Sequence, residues 1–182
     1  MSRNYKFSDQ RKLYFVTYGT ILWIDALTRP HYKNIIVESL QYCIDNKGME
    51  IYAWCIMSNH VHLIIGSTIT PLQDIMRDHK RFTSRKCIKA IEENPSESRK
   101  EWMLPLFREA GKENPNNEKY QFWQQHNHPI ELTSKFLMDQ KLEYIHMNPV
   151  VAGIVEAPEH YIYSSAKDYQ GRKGLLSIKF IE

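Results

Sequence analysis

The sequence predicts an α+β fold: a ferredoxin-like antiparallel sheet in the order β-α-β-β-α-β, with helices on one face and a further, tyrosine-bearing helix after it. Three observations carry this prediction. Segments rich in β-branched and aromatic residues alternate with segments whose apolar residues recur at helical spacing. The stretch "EIYAWCIMSNHVHLIIGS" (50–67) reads as two strands joined by a tight Ser58-Asn59 turn. No internal repeat or low-complexity tract divides the chain, so residues 1–182 read as a single domain.

Taken in order, "KLYFVTYGT" (12–20) is the first strand. After Pro30, Ile36, Leu40 and Cys43/Ile44 mark the apolar face of a helix closed by Gly48. The strand pair of 50–67 follows. From 70 to 93, Thr70 stands as cap, Pro71 at the first helical position, and Leu72, Ile75, Met76 and Phe82 at helical spacing. Residues 92–119 read as a polar excursion around the apolar patch "WMLPLF", punctuated by Asn-Pro at 94–95 and 114–115 and by Gly111. "KYQFWQQ" (119–125) supplies a fourth strand. A helix over 133–150, capped by Thr133 or Ser134, ends where Pro149 disfavours helical geometry at Asn148, and 150–182 form a tail. With its first two helices on one side, the sheet keeps its other face free for a site.

At 182 residues with 42% hydrophobic and 12% aromatic content, the chain can fill one core. A net charge of +3 permits a nucleic-acid partner without demanding one. Three widely spaced cysteines, Cys43, Cys55 and Cys87, fit reduced core thiols in a cytoplasmic protein better than a disulfide frame. The polar start "MSRNYKFSDQRK" and the lack of an apolar run of membrane-spanning length point to no membrane association.

The second strand of the pair interrupts its apolar run with His60 and His62. Strand side chains alternate, so both imidazoles project from one face while Val61, Leu63 and Ile65 project from the other. A single histidine in an apolar strand is ordinarily structural; two on one face raise a metal or catalytic role. A catalytic zinc site would need a third histidine or a carboxylate. A histidine-triad hydrolase would place histidine at position 64, which is Ile64, and no second His-x-Thr/Ser motif of a cyclic phosphodiesterase exists. "QHNHP", with His126 and His128, sits in a polar segment and reads as solvated or hydrogen-bonding.

On the helix of 133–150, Met138, Leu142 and Ile145 form a core stripe, and Asp139, Glu143 and His146 a solvated one. Gln140, Tyr144 and Asn148 follow one another at i, i+4 and i+8 on a third side, with Lys141 alongside. By position alone Tyr144 reads as a half-buried anchor for the helix, and nothing singles it out among eleven tyrosines.

"MSNHVHLII", followed far downstream by "EYIHMNPVVAGIV", resembles the single-tyrosine HUH transposases of the IS200-like family, most closely the REP-associated tyrosine transposases. The likeness runs from about 11 to 174 and includes "HKRFTSRK" and "YIYSSAKDY". It implies that His60 and His62 are metal ligands, that Tyr144 is the nucleophile, and that Asn148 occupies the position of a third polar ligand. The implied cofactor is a divalent ion, Mg²⁺ or Mn²⁺, and the implied partner is single-stranded or hairpin DNA. Related enzymes include homodimers that set each tyrosine helix against the partner's histidines.

A phenol is a weak nucleophile at neutral pH and needs a nearby cation or base; Lys141, with Gln140 beside it, is the expected support. Attack by tyrosine conserves bond energy as a phosphotyrosine ester, so no phosphate-binding loop for ATP is needed, and the resemblance implies a 5′-phosphotyrosine link with a free 3′-hydroxyl. For DNA contact, Arg77, Arg81, Arg85 and Lys89 repeat at i+4 with Lys80 and Lys86 beside them, and Arg85, Lys86 and Lys89 lack a helical acid partner in this reading. Trp102, Trp123 and Tyr120 are candidate stacking residues that read more readily as core. Ser164 and Ser165 are candidates for phosphate contact or for capping. Two other functions stay open: a DNA-binding protein of the same fold that does not cleave, and a histidine-metal nucleotide phosphohydrolase.

Overall fold

In the computed structural model, which describes residues 7–112 and 119–181, four strands pair as one antiparallel sheet. They are Tyr14–Gly19 (β1), Met49–Ile56 (β2), His60–Ser67 (β3) and Ile130–Glu131 (β4), in the spatial order β2-β3-β1-β4. This is the ferredoxin-like order expected. The helices are Pro30–Lys47 (α1), Leu72–Glu93 (α2), Lys100–Lys112 (α3), Lys135–Val151 (α4) and the short Ala166–Tyr169 (α5), with single 3-10 turns at Ile21–Trp23 and Pro158–His160.

The register sets the site. Thr17 lies opposite His62 and Gly19 opposite His60. Phe15 and Thr17 therefore share the histidine face, while Val16 and Tyr18 share the other with Leu63 and Val61. Tyr18 meets His79 of α2 through a 2.7 Å hydrogen bond, and His79 meets Ser39 of α1 at 2.9 Å. Phe15 instead meets Tyr144 of α4, with ring centroids 6.0 Å apart. Helices α1 and α2 thus cover one face, and α4 covers part of the face expected to be free. Val16, Leu63, Ile36, Leu40, Ile75, Met76 and Ile145 all belong to one buried core. Cys43, Cys55 and Cys87 are free thiols buried in it.

Several expectations are corrected. The first free N–H of α2, at Leu72, donates to Oε1 of Gln10 (2.8 Å), so the cap comes from a distant side chain; Thr70 does not supply it, and Pro71 stands just before the helix. The polar excursion contains a 13-residue helix, α3, because Met103, Phe107 and Gly111 form a buried stripe at i, i+4 and i+8 that outweighs Pro105 inside it. Gly111 is required there: a Cβ would come within 2.7 Å of the Lys119 carbonyl oxygen. Asn114-Pro115 lies outside the described residues.

The segment 119–125 pairs with the sheet's backbone through an isolated bridge, Thr20 to Trp123, without forming a strand, and the fourth strand is the two-residue β4. Phe122 and Trp123 are both buried, so this segment has no alternation to lay on a sheet; its rings pack against Phe107 and Tyr18 instead. At α4, Ser134 caps as expected, its Oγ accepting from the Leu137 N–H at 3.2 Å. The helix then runs through Pro149 to Val151, because the next N–H groups close the last turn on Asn148 (3.0 Å from Ala152) and Pro149 (2.9 Å from Ile154). The tail runs along the outer edge of β2, where Ile56 N–H donates to Tyr163 and Ser165 N–H to Trp54. Among the described residues no helix is long and apolar enough to cross a membrane.

Candidate active site

His60 and His62 project side by side from β3, ring centroids 4.6 Å apart. The Oδ1 of Asn59 lies 2.7 Å from Nδ1 of His60, and a carbonyl oxygen only accepts, so that nitrogen carries the proton. The Thr17 hydroxyl holds Nδ1 of His62 at 2.8 Å, and the Nδ2 of Asn148 lies 3.3 Å from its Nε2. Both imidazoles are therefore held at Nδ1, and Nε2 of His62 faces the Asn148 amide. Burial lowers the pKa of His60, opposed in part by the neighbouring Asn148 amide. His62 is 3% exposed, and burial, with lesser repulsion from His60 and Lys141, pushes its pKa down to about 3. The pair is neutral at pH 7.

Tyr144 enters from α4, its ring 5.1 Å from that of His62 and edge-on to it. It remains 48% exposed. Lys141, one turn earlier, places Nζ 4.9 Å from the Phe15 ring and 5.7 Å from the Tyr144 ring. Gln140 is exposed at the preceding turn. The tyrosine helix lies against the histidines of its own chain.

These donors fit a divalent ion. Two neutral imidazoles offer Nε2, and Asn148 offers an amide whose oxygen and nitrogen exchange by rotation. Among the described residues no cluster of three or more His, Cys, Asp or Glu exists, so the set is two imidazoles and an amide, which leaves coordination positions for substrate oxygens.

The basic stripe of α2 lies across the sheet from this site. Lys80 is corrected: its ammonium donates to the Gln124 carbonyl (2.6 Å) and to Oδ1 of Asn127 (2.8 Å), and burial lowers its pKa to about 8. Arg77 pairs with Asp74 and Asp78, and Lys89, expected to lack a helical partner, pairs with Glu93 at 3.6 Å. Arg81, Arg85 and Lys86 are exposed. Trp123 is core, whereas Tyr120 is tied to Glu92 and Arg108. Ser164 and Ser165 are buried; Ser165 bonds His146 at 2.9 Å, so His146 is buried under the tail and not solvated. His126 and His128 are exposed, as expected. Phe15, Thr17 and Trp23 were not among the expected site residues. Alternation in "YFVTYG" pairs Phe15 with Thr17, but only the β1–β3 register sets them beside His62.

A family model described as Transposase IS200 like matches residues 24–104. The match covers a little under half of the chain, including both histidines, and stops short of Tyr144. Residues 24–104, which carry the histidine strand, are thus similar to the IS200-like transposases. Among solved structures, one described as the REP-associated tyrosine transposase bound to a REP hairpin is similar with a TM-score of 0.64 at 15% identity, over 100% of this chain and 94% of that one. A structure from Deinococcus radiodurans R1 aligns over 80% of this chain and 94% of its own at 19% identity, with a TM-score of only 0.43. The first likeness establishes the fold. No curated protein matches the sequence.

Proposed function

We propose that this protein is a single-tyrosine transposase that cuts and rejoins single-stranded DNA next to a hairpin, using Tyr144 as nucleophile. The observation that carries the reading is the convergence of Tyr144 and Asn148, from one helix, on His62 of the neighbouring strand at 5.1 Å and 3.3 Å. Likeness to a transposase described as bound to a REP hairpin supports the choice of DNA.

His60, His62 and Asn148 would hold Mg²⁺ or Mn²⁺, which when bound supplies Lewis-acid polarisation of the scissile phosphate. Thr17 and Asn59 fix the imidazoles, and burial keeps them neutral with Nε2 available. Tyr144 attacks: its oxygen forms the bond to phosphorus, the P–O3′ bond breaks, and the phenolic proton ends on the departing 3′ oxygen by way of solvent. Lys141 stabilises the phenolate that develops on the way. The 5′-phosphotyrosine link keeps the bond energy, so a 3′-hydroxyl can reverse the step and join strands without ATP. Arg81, Arg85 and Lys86 sit on the opposite sheet face and would meet DNA beyond the cleaved strand, as the stem of a hairpin requires.

The test is incubation with end-labelled single-stranded hairpin oligonucleotides and Mn²⁺ or Mg²⁺, read on denaturing gels. A protein–DNA adduct that carries the 5′ phosphate of the downstream fragment is expected. Binding without an adduct would make this a DNA-binding protein of the same fold, and phosphate release from nucleotides would make it a phosphohydrolase.

A further inference from the structure

We infer that the indole of Trp23 is a stacking platform for an unpaired base next to the scissile phosphate; this rests on the DNA-cleavage reading above. Trp23 is 54% exposed, an unusual position for the side chain with most apolar surface to hide. It stands at the site: its ring centroid is 5.8 Å from that of His60 and edge-on to it. A phosphate held at the histidines would leave its neighbouring nucleotide within reach of the indole.

The backbone is bent to put it there. Leu22 and Trp23 have φ of 52° and 55°, a left-handed conformation in which Cβ crowds the carbonyl and which bulky residues rarely adopt. Two such residues in succession persist only where the surroundings over-determine them. Trp23 N–H donates to the Thr20 carbonyl at 3.1 Å, Ile24 N–H to Ile21 at 3.2 Å, and the Thr20 hydroxyl to the Ile24 carbonyl at 2.7 Å. Asn59 links the turn to the metal site: its Nδ2 donates to the Trp23 carbonyl at 3.1 Å while its Oδ1 accepts from His60. One amide therefore holds both the platform and a candidate ligand. The ring lies over the end of β1, where Gly19 makes room for it; a Cβ at that position would stand 3.2 Å from the indole.

Every nucleobase has a π-face, so such a platform grips unpaired DNA with little regard to sequence and cannot grip a base still inside a duplex. It favours single-stranded DNA at the histidines.

The experiment uses the full chain carrying Tyr144→Phe, without metal, so that cleavage plays no part. Binding of a fluorescent hairpin oligonucleotide with a single-stranded flank is measured by anisotropy, with an abasic site moved through the flank. One abasic position is expected to weaken binding by about 5- to 150-fold, the range that base–aromatic stacking supports. Trp23→Ala should weaken binding of the intact oligonucleotide by a similar factor and lose its sensitivity to that position, while Trp23→Phe, which keeps a ring, retains most of both. Trp23→Ala binding as tightly as Trp23, or remaining sensitive to the abasic position, would overturn the inference and leave the cleavage reading standing. Failure of the parent protein to bind any of these oligonucleotides would overturn both.

Discussion

The amide of Asn148 on α4 lies 3.3 Å from Nε2 of His62 on β3, so the helix that carries Tyr144 is docked onto the histidine strand through a polar group. Asn148 and Tyr144 are one helical turn apart, so one contact positions both the proposed third donor and the proposed nucleophile.

If Asn148 completes the donor set, Asn148→Ala should weaken Mn²⁺ binding by about 10-fold or more, measured by calorimetry on DNA-free protein. Asn148→Asp, which keeps an oxygen and adds charge, should bind at least as tightly as the parent. Equal affinity of the alanine variant would remove Asn148 from the site and leave the ion to the two histidines alone.

Tyr144→Phe keeps the edge-on contacts with His62 and Phe15 and removes only the hydroxyl. Its folding stability should stay within about 0.5 kcal/mol of the parent, it should bind hairpin DNA, and it should form no adduct. Tyr161, Tyr163 and Tyr169 provide the contrast, because their hydroxyls donate to Ile56, Asn34 and Tyr52 respectively. Their phenylalanine variants should each lose about 1 kcal/mol in urea titrations yet keep the covalent chemistry. An adduct mapped to any of these three would reassign the nucleophile.

What the sequence disclosed followed from period and spacing. The alternation of β3 put His60 and His62 on one face, and the helical repeat put Tyr144 and Asn148 on one side of α4; both hold in the structure. What it hid depended on distant partners. His146 falls on the helical stripe of Asp139 and Glu143, yet is buried, because the tail returns to offer Ser165. Lys80 stands in a basic repeat, yet is spent on a loop far along the chain. Helix α3 was masked by Pro105, whose cost is local while the burial of Met103 and Phe107 is not. Trp23 gave no signal because a left-handed turn has no periodicity.

The buried histidines predict acid sensitivity. Burial holds His79 at a pKa of about 3 and His146 at about 4, against about 6.5 in the unfolded chain. Both folded values are depressed, so the stabilisation is fully present above about pH 6.5. It is lost as pH falls toward those values, since the unfolded chain takes up the protons first. Each histidine should contribute a slope of about 1.4 kcal/mol per pH unit between roughly pH 6 and pH 4. Urea midpoints taken in chelator across that range should show His79→Gln less stable than the parent at pH 7 but shallower in its pH dependence. A parallel profile would show that His79 does not titrate as its burial requires.

Lys80 and its exposed neighbours on α2 should respond to substitution in opposite ways. The Lys80 ammonium spans to Gln124 and Asn127, and the Asn127 carbonyl accepts the N–H of Thr17, whose hydroxyl holds His62. Lys80→Met would leave a carbonyl and an amide oxygen without a donor, so it should cost about 1–3 kcal/mol of stability. It should also reduce cleavage by loosening Thr17. Because its charge is committed to protein, the salt dependence of DNA binding should not change. Arg81→Ala and Lys86→Ala remove charges that stand in solvent, so each should leave stability within about 0.5 kcal/mol and flatten the salt dependence by about one unit of slope for each phosphate no longer neutralised. Denaturant titrations paired with binding isotherms at several salt concentrations separate the two behaviours. A flattened slope with unchanged stability in Lys80→Met would return that lysine to the DNA surface, and unchanged slopes in both Arg81→Ala and Lys86→Ala would assign the α2 stripe to solvent.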